Sequence, residues 1–116
     1  MPFVLLIMET SGERRDRPED VGRDAYEQMV RFSNRLKERG VLRAVESLKS
    51  DADAVRIGTR NGKRTSTDGP FAEAKEMVGG FFLLDCTKEQ AVQFANECPA
   101  VEWAIVEVRE TGPCFT

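Results

Sequence analysis

The sequence predicts an α+β fold of ferredoxin-like type, β-α-β-β-α-β with an inserted hairpin, on three observations. Short apolar runs alternate with segments of helical period. The pair Asn61-Gly62 sits between two strand-like stretches, as in a two-residue hairpin turn. A length of 116 residues, 41% hydrophobic and 32% charged, suits a single domain over residues 1–116.

Phe3-Val4-Leu5-Leu6-Ile7-Met8 is apolar without alternation, the pattern of a central strand buried on both faces. Residues 9–19 read as a charged loop. Val21, Ala25, Met29, Phe32 and Leu36 then step by three or four, which places them on one side of a helix. Gly40 caps that helix, and Arg35, Lys37 and Arg39 oppose the negative end of its dipole. Val41 to Leu48 reads as a second strand, with Leu42, Ala44, Glu46 and Leu48 on one face. Ala54–Arg60 and Lys63–Thr67 flank Asn61-Gly62, whose residue types tolerate the two positive φ angles of a type I′ turn.

Asp68-Gly69-Pro70-Phe71 is a turn, since Asp bonds forward to its own backbone, Gly relieves steric limits and Pro fixes φ. Ala72 to Val78 is compatible with one helical turn before Gly79-Gly80 releases the chain into a strand from Phe81 to Cys86. Thr87 with Gln90 fits a capping box, and Ala91, Phe94, Ala95 and Cys98 form a helical stripe that Pro99 ends. Val101 to Val108 completes the order as the last strand.

Composition narrows the chemistry. Seventeen basic against twenty acidic residues give net charge −3, so no global positive field exists to hold a nucleic acid. The chain has no histidine, which removes imidazole-activated nucleophiles, histidine metal sites and a neutral-pH proton shuttle. Cys86, Cys98 and Cys114 form no C-x-x-C pair, so neither a metal site nor a redox motif is expected, nor any cofactor. Phe3 to Met8 is too short an apolar run for a membrane span or signal peptide, and a cytoplasmic location is expected. Two helices cover one face of a sheet, yet the strands carry apolar side chains to both. A homodimer packed sheet against sheet, enclosing a small-molecule cavity, resolves that excess.

At Thr67-Asp68-Gly69-Pro70-Phe71-Ala72-Glu73-Ala74-Lys75-Glu76, followed by Gly79-Gly80-Phe81-Phe82, the chain resembles the YCII-related family in its DGPF-domain branch. The opening F-V-L-L-I-M, the Val45-Glu46-Ser47-Leu48 stretch, Cys98-Pro99 and Val106-Glu107-Val108-Arg109 extend the likeness over most of the chain. The resemblance implies a dimeric α+β barrel and, for several relatives, a link to extracytoplasmic-function sigma factors. A related enzymatic branch uses a His-Asp pair, and this chain has no histidine to supply one.

Asp68 and Glu46 are the candidate catalytic residues. Asp68 is a carboxylate on a rigid turn, a place for a general base, and equally the residue a turn uses to satisfy its own amides. Glu46 shares its expected face with Leu42, Ala44 and Leu48, where burial would raise its pKa; pairing with an arginine or a place at the cavity rim is the structural alternative. Thr67, Gly69, Pro70, Phe71, Glu73 and Lys75 around the turn, together with Tyr26, are candidate ligand contacts, against a solvated charged turn and a helix-packing tyrosine. Arg56, Arg60, Lys63 and Arg64 make the hairpin basic, suited either to an acidic partner or to a solvated edge.

The sequence supports two functions. One is a small-molecule-binding homodimer, extending to cofactor-free proton transfer of isomerase or lyase type with Asp68 and Glu46 as acid and base. The other is a non-catalytic regulatory or interaction protein, for which the resemblance points to a sigma factor as the partner.

Overall fold

Along β1 (Phe3–Thr10), Phe3, Leu5, Ile7 and Glu9 are buried while Val4, Leu6 and Met8 are only partly so. A sheet with one covered face imposes that alternation. In the computed structural model, which describes residues 1–116, β1 is an inner strand of a four-stranded antiparallel sheet. The helices are α1 (Glu13–Asp16), α2 (Glu19–Glu38) and α3 (Lys88–Glu97). The strands after β1 are β2 (Leu42–Ser47), β3 (Val55–Arg60), β4 (Lys63–Asp68), β5 (Glu76–Leu84) and β6 (Ile105–Glu110). The sheet order β2-β5-β1-β6 is the ferredoxin-like one, with β3 and β4 forming a separate two-stranded hairpin.

Both long helices lie on the same side of the sheet. From α2 come Ala25, Phe32 and Leu36, and from α3 Ala91, Phe94 and Ala95. Of these, Phe32, Leu36, Phe94 and Ala95 join Leu5, Ile7, Phe82 and Leu84 in the core, with Phe32 and Phe82 meeting edge to face at 5.3 Å between centroids. Truncating Phe32 to Ala would cost roughly 3–5 kcal/mol at such a site. The helix ends follow the expected signals. Gly40 adopts φ 75°, and at α3 the Thr87 hydroxyl accepts from Gln90 N–H while the Gln90 side chain accepts from Thr87 N–H. The hairpin turn has φ 52° at Asn61 and 78° at Gly62, the two positive angles of its turn type.

Four stretches depart from the sequence reading. Residues 9–19 are not one loop: β1 runs on to Thr10, α1 intervenes, and α2 begins at Glu19. Gly79-Gly80 does not precede a strand but lies inside β5, where Gly79 is an extra residue opposite the Ile7/Met8 step. The last strand starts only at Ile105, because Pro99 initiates a 3-10 turn over Pro99–Glu102. In β2 the pairing skips from Leu42 opposite Leu84 to Ala44 opposite Leu83, leaving Arg43 as a bulge. The bulge shifts the alternation, so Val45 joins Leu42 against the core while Ala44, Glu46 and Leu48 are exposed.

The sheet's second face carries Val4, Leu6 and Met8 with their cross-strand neighbours Leu83, Phe81 and Val78, and no element of the chain covers it. The hairpin is equally uncovered, with all twelve strand residues exposed. These features make the chain flat, 47 × 41 × 18 Å, and raise its radius of gyration to 15.9 Å, against roughly 13.4 Å for a compact domain of this length.

Candidate functional site

Glu9 continues the inward series Phe3, Leu5, Ile7 along β1, so the pleat turns a carboxylate into the apolar side of the sheet. Its charge is met by Arg14 of α1, whose Nε donates to Glu9 Oε2 at 2.7 Å. Arg14 Nη1 donates to the Leu48 carbonyl at 2.5 Å and Nη2 to the Gly79 carbonyl at 3.1 Å. One guanidinium thus ties β1, β5 and the end of β2 together. The glycine bulge makes the space. A Cβ at Gly79 would stand 2.6 Å from the Glu9 carboxyl carbon and 2.8 Å from Arg14 Nη2.

Beside this pair, between α2 and the sheet, opens a cleft of about 820 Å3. Ile7, Phe82, Met29 and Trp103 give it apolar walls, and Glu9 and Arg14 line it. Arg17, the ion-paired Glu19 and Arg23, and Glu27 add charge from the start of α2. The volume lies within the range of roughly 300–1,000 Å3 that small-molecule sites occupy.

Two of the residues singled out by sequence, Tyr26 and Glu46, line this cleft, both exposed. The others gather elsewhere. None of Thr67, Asp68, Gly69, Pro70, Phe71, Glu73 and Lys75 is among the lining residues. Asp68 ends β4 opposite Val55, exposed, next to Thr67. Gly69 N–H donates to the Ala54 carbonyl at 2.7 Å, and a Cβ there would meet the Asp51 carbonyl oxygen at 1.9 Å. The Gly69-Pro70 peptide is cis. Phe71 is buried, its N–H donating to Asp51 Oδ2 at 3.3 Å, with the Arg56 guanidinium 3.9 Å from its ring centroid. The Lys75 carbonyl accepts from Ser11 N–H at 3.1 Å, while Glu73 and the rest of Lys75 face solvent. This turn fastens the hairpin base to the segment 51–54.

Sequence reasoning missed Glu9, Arg14 and Trp103. The signal for Glu9 was its odd-numbered place after Phe3, Leu5 and Ile7; nothing local marked Arg14, which reaches acceptors 34 and 65 positions away. Cys86 and Cys98 are poor nucleophiles. Burial pushes Cys98 up to about 11, partly offset by a backbone hydrogen bond at Ala100, and burial followed by the Asp85 charge raises Cys86. No three Cys, Asp or Glu side chains converge as a metal-holding group. No helix is long and apolar enough to cross a membrane.

The family model described as YCII-related domain matches residues 1–113. A protein of Rhizobium meliloti (strain 1021), described as uncharacterised, is 33% identical over 89 residues, covering 76% of this chain and 68% of that protein.

Proposed function

The chain belongs to the YCII-related domain family, and from that premise we propose that it works as a homodimer binding a small molecule in the cleft beneath α2. The cleft carries this reading: about 820 Å3, apolar on its walls, with a half-buried ion pair at one end. We assign the chain to the DGPF branch on Asp68-Gly69-Pro70-Phe71, whose role here is to hold the hairpin base.

Accessible area supports the dimer. One copy exposes 8222 Å2, whereas a compact monomer of 13.0 kDa exposes roughly 6,300 Å2. Two copies hiding that excess would bury roughly 3,800 Å2, within the ~2,000–5,000 Å2 of permanent interfaces. The open sheet face with Leu6, Phe81 and Leu83, and Val55 and Ile57 on the hairpin, are apolar parts of that excess.

Catalysis by proton transfer between Glu46 and Asp68 is a narrower version of the proposal. It requires a partner copy to carry Asp68 to the cleft, because Asp68 is not among the residues that line it within one chain. Asp68→Asn tests it: retained turnover of any substrate found would remove the residue from the mechanism. A regulatory reading rests instead on the exposed hairpin, where Arg56, Arg60, Lys63 and Arg64 stand against the single carboxylate of Asp68.

Native mass spectrometry of protein purified gently from cells tests the main proposal. We expect a species of twice 13.0 kDa with a retained small molecule, and Met29→Trp, which fills the cleft, to lose the molecule and keep the dimer. A well-behaved monomer at micromolar concentration with nothing bound would overturn both parts.

A further inference from the structure

We infer that the inner end of the cleft receives an uncharged hydrogen-bond donor, a phenolic, alcoholic or heterocyclic O–H or N–H on an apolar body, and that Glu9 Oε1 accepts it. The inference rests on the cleft being a small-molecule site and names the ligand class.

The Glu9 side chain is 9% exposed, and Arg14 engages only Oε2. Oε1 accepts no hydrogen bond from the protein, although Glu9 lines the cleft. Oε1 is not among the fully buried unpaired atoms, of which Ser11 Oγ is the one, so it keeps an opening to solvent, and an unclaimed, reachable carboxylate oxygen beside a cleft is a place for a donor from outside. Arg14 cannot turn to fill it. Its three nitrogens are held by Glu9 and by the carbonyls of Leu48 and Gly79.

Charge decides the class. Glu9 and Arg14 together sum to zero, so an ammonium drawn to Glu9 also meets the guanidinium, and a carboxylate drawn to Arg14 also meets Glu9. Either ion loses its hydration in return for opposed interactions. A neutral donor loses little and gains a hydrogen bond to an ionised acceptor, the stronger kind. Ile7, Met29, Phe82 and Trp103 then accommodate the apolar body.

Trp103 is the only tryptophan and lines the cleft, so its single indole N–H resonance is a reporter of binding there. The probes are 4-methylphenol, its methyl ether, 4-methylbenzylamine and 4-methylbenzoate, titrated against the full chain. We expect 4-methylphenol to bind tightest, about tenfold or more over the ether, the gain of one hydrogen bond to a charged group. In Glu9→Gln the amide oxygen must face the Arg14 donor, which turns the amide NH2 toward the cleft. The site then donates rather than accepts, and the preference for the phenol over the ether should vanish or reverse.

Equal binding of phenol and ether by the wild-type chain, or tighter binding of either charged probe, would overturn the donor assignment while leaving the cleft a ligand site. Absence of any Trp103 response to all four probes would overturn the cleft reading and the inference with it. The wild-type comparison stands even if Glu9→Gln fails to fold.

Discussion

A single methyl group added at Gly79 would occupy space already filled by the Glu9 carboxylate and the Arg14 guanidinium. Gly79→Ala should therefore separate that ion pair and cost about 1–3 kcal/mol in urea unfolding, the usual penalty of overpacking. Glu9→Ala leaves Arg14 without its anion. A fully buried pair broken this way loses ~3–5 kcal/mol, and because the Arg14 side chain keeps 22% of its exposure the loss here should be nearer 2 kcal/mol. Cys98 makes stability depend on alkaline pH. Its thiol, ordinarily near 9.0, is held up to about 11 by burial in the folded chain. Below pH 9 both states keep the proton and its contribution is complete. As pH rises toward 11 the unfolded thiol ionises first, and stability falls by about 1.4 kcal/mol per unit, a slope that Cys98→Ala should remove from chemical denaturation curves.

At the scale of elements, the capping box of α3 gives a clean expectation: Thr87→Ala should lower stability by about 1 kcal/mol, read from the denaturation midpoint at unchanged slope. That box was readable from Thr87 and Gln90 because capping is a local matter, and so were Asn61-Gly62 and Gly40, whose backbone angles depend on neighbouring residues. Bulges are not local. Nothing in L-R-A-V announces that Arg43 is skipped, since the reason is the partner strand: Leu42 and Val45 both have core to meet, and the extra residue lets them meet it. The same cause hid the cleft. Gly79-Gly80 reads as a chain break, whereas the fold uses Gly79 to admit Glu9 and Arg14, and Gly80 to pass Glu46, whose carbonyl oxygen would lie 2.8 Å from a Cβ. Glu46 accordingly lost the buried place its spacing suggested, and the D-G-P-F turn became an anchor for the hairpin.

For the whole molecule, the uncovered sheet face is the decisive surface. Leu6→Asp puts a charge at the middle of that face on an inner strand. It should convert the proposed dimer to a 13.0 kDa species in sedimentation while sparing the helix-side core, where Leu6 makes no contribution. The hairpin belongs to the same question. Two strands that are exposed along their whole length and meet the rest of the chain only near their base, where Arg56 stacks on Phe71, have little to keep them closed, for an isolated pair is marginal in water. Its turn and its anchored base fix where it points, and its survival is left to what it touches. In the proposed dimer, deuterium uptake over 55–68 should gauge association through the backbone itself: slow in concentrated protein, quickening on dilution well before the helices begin to exchange.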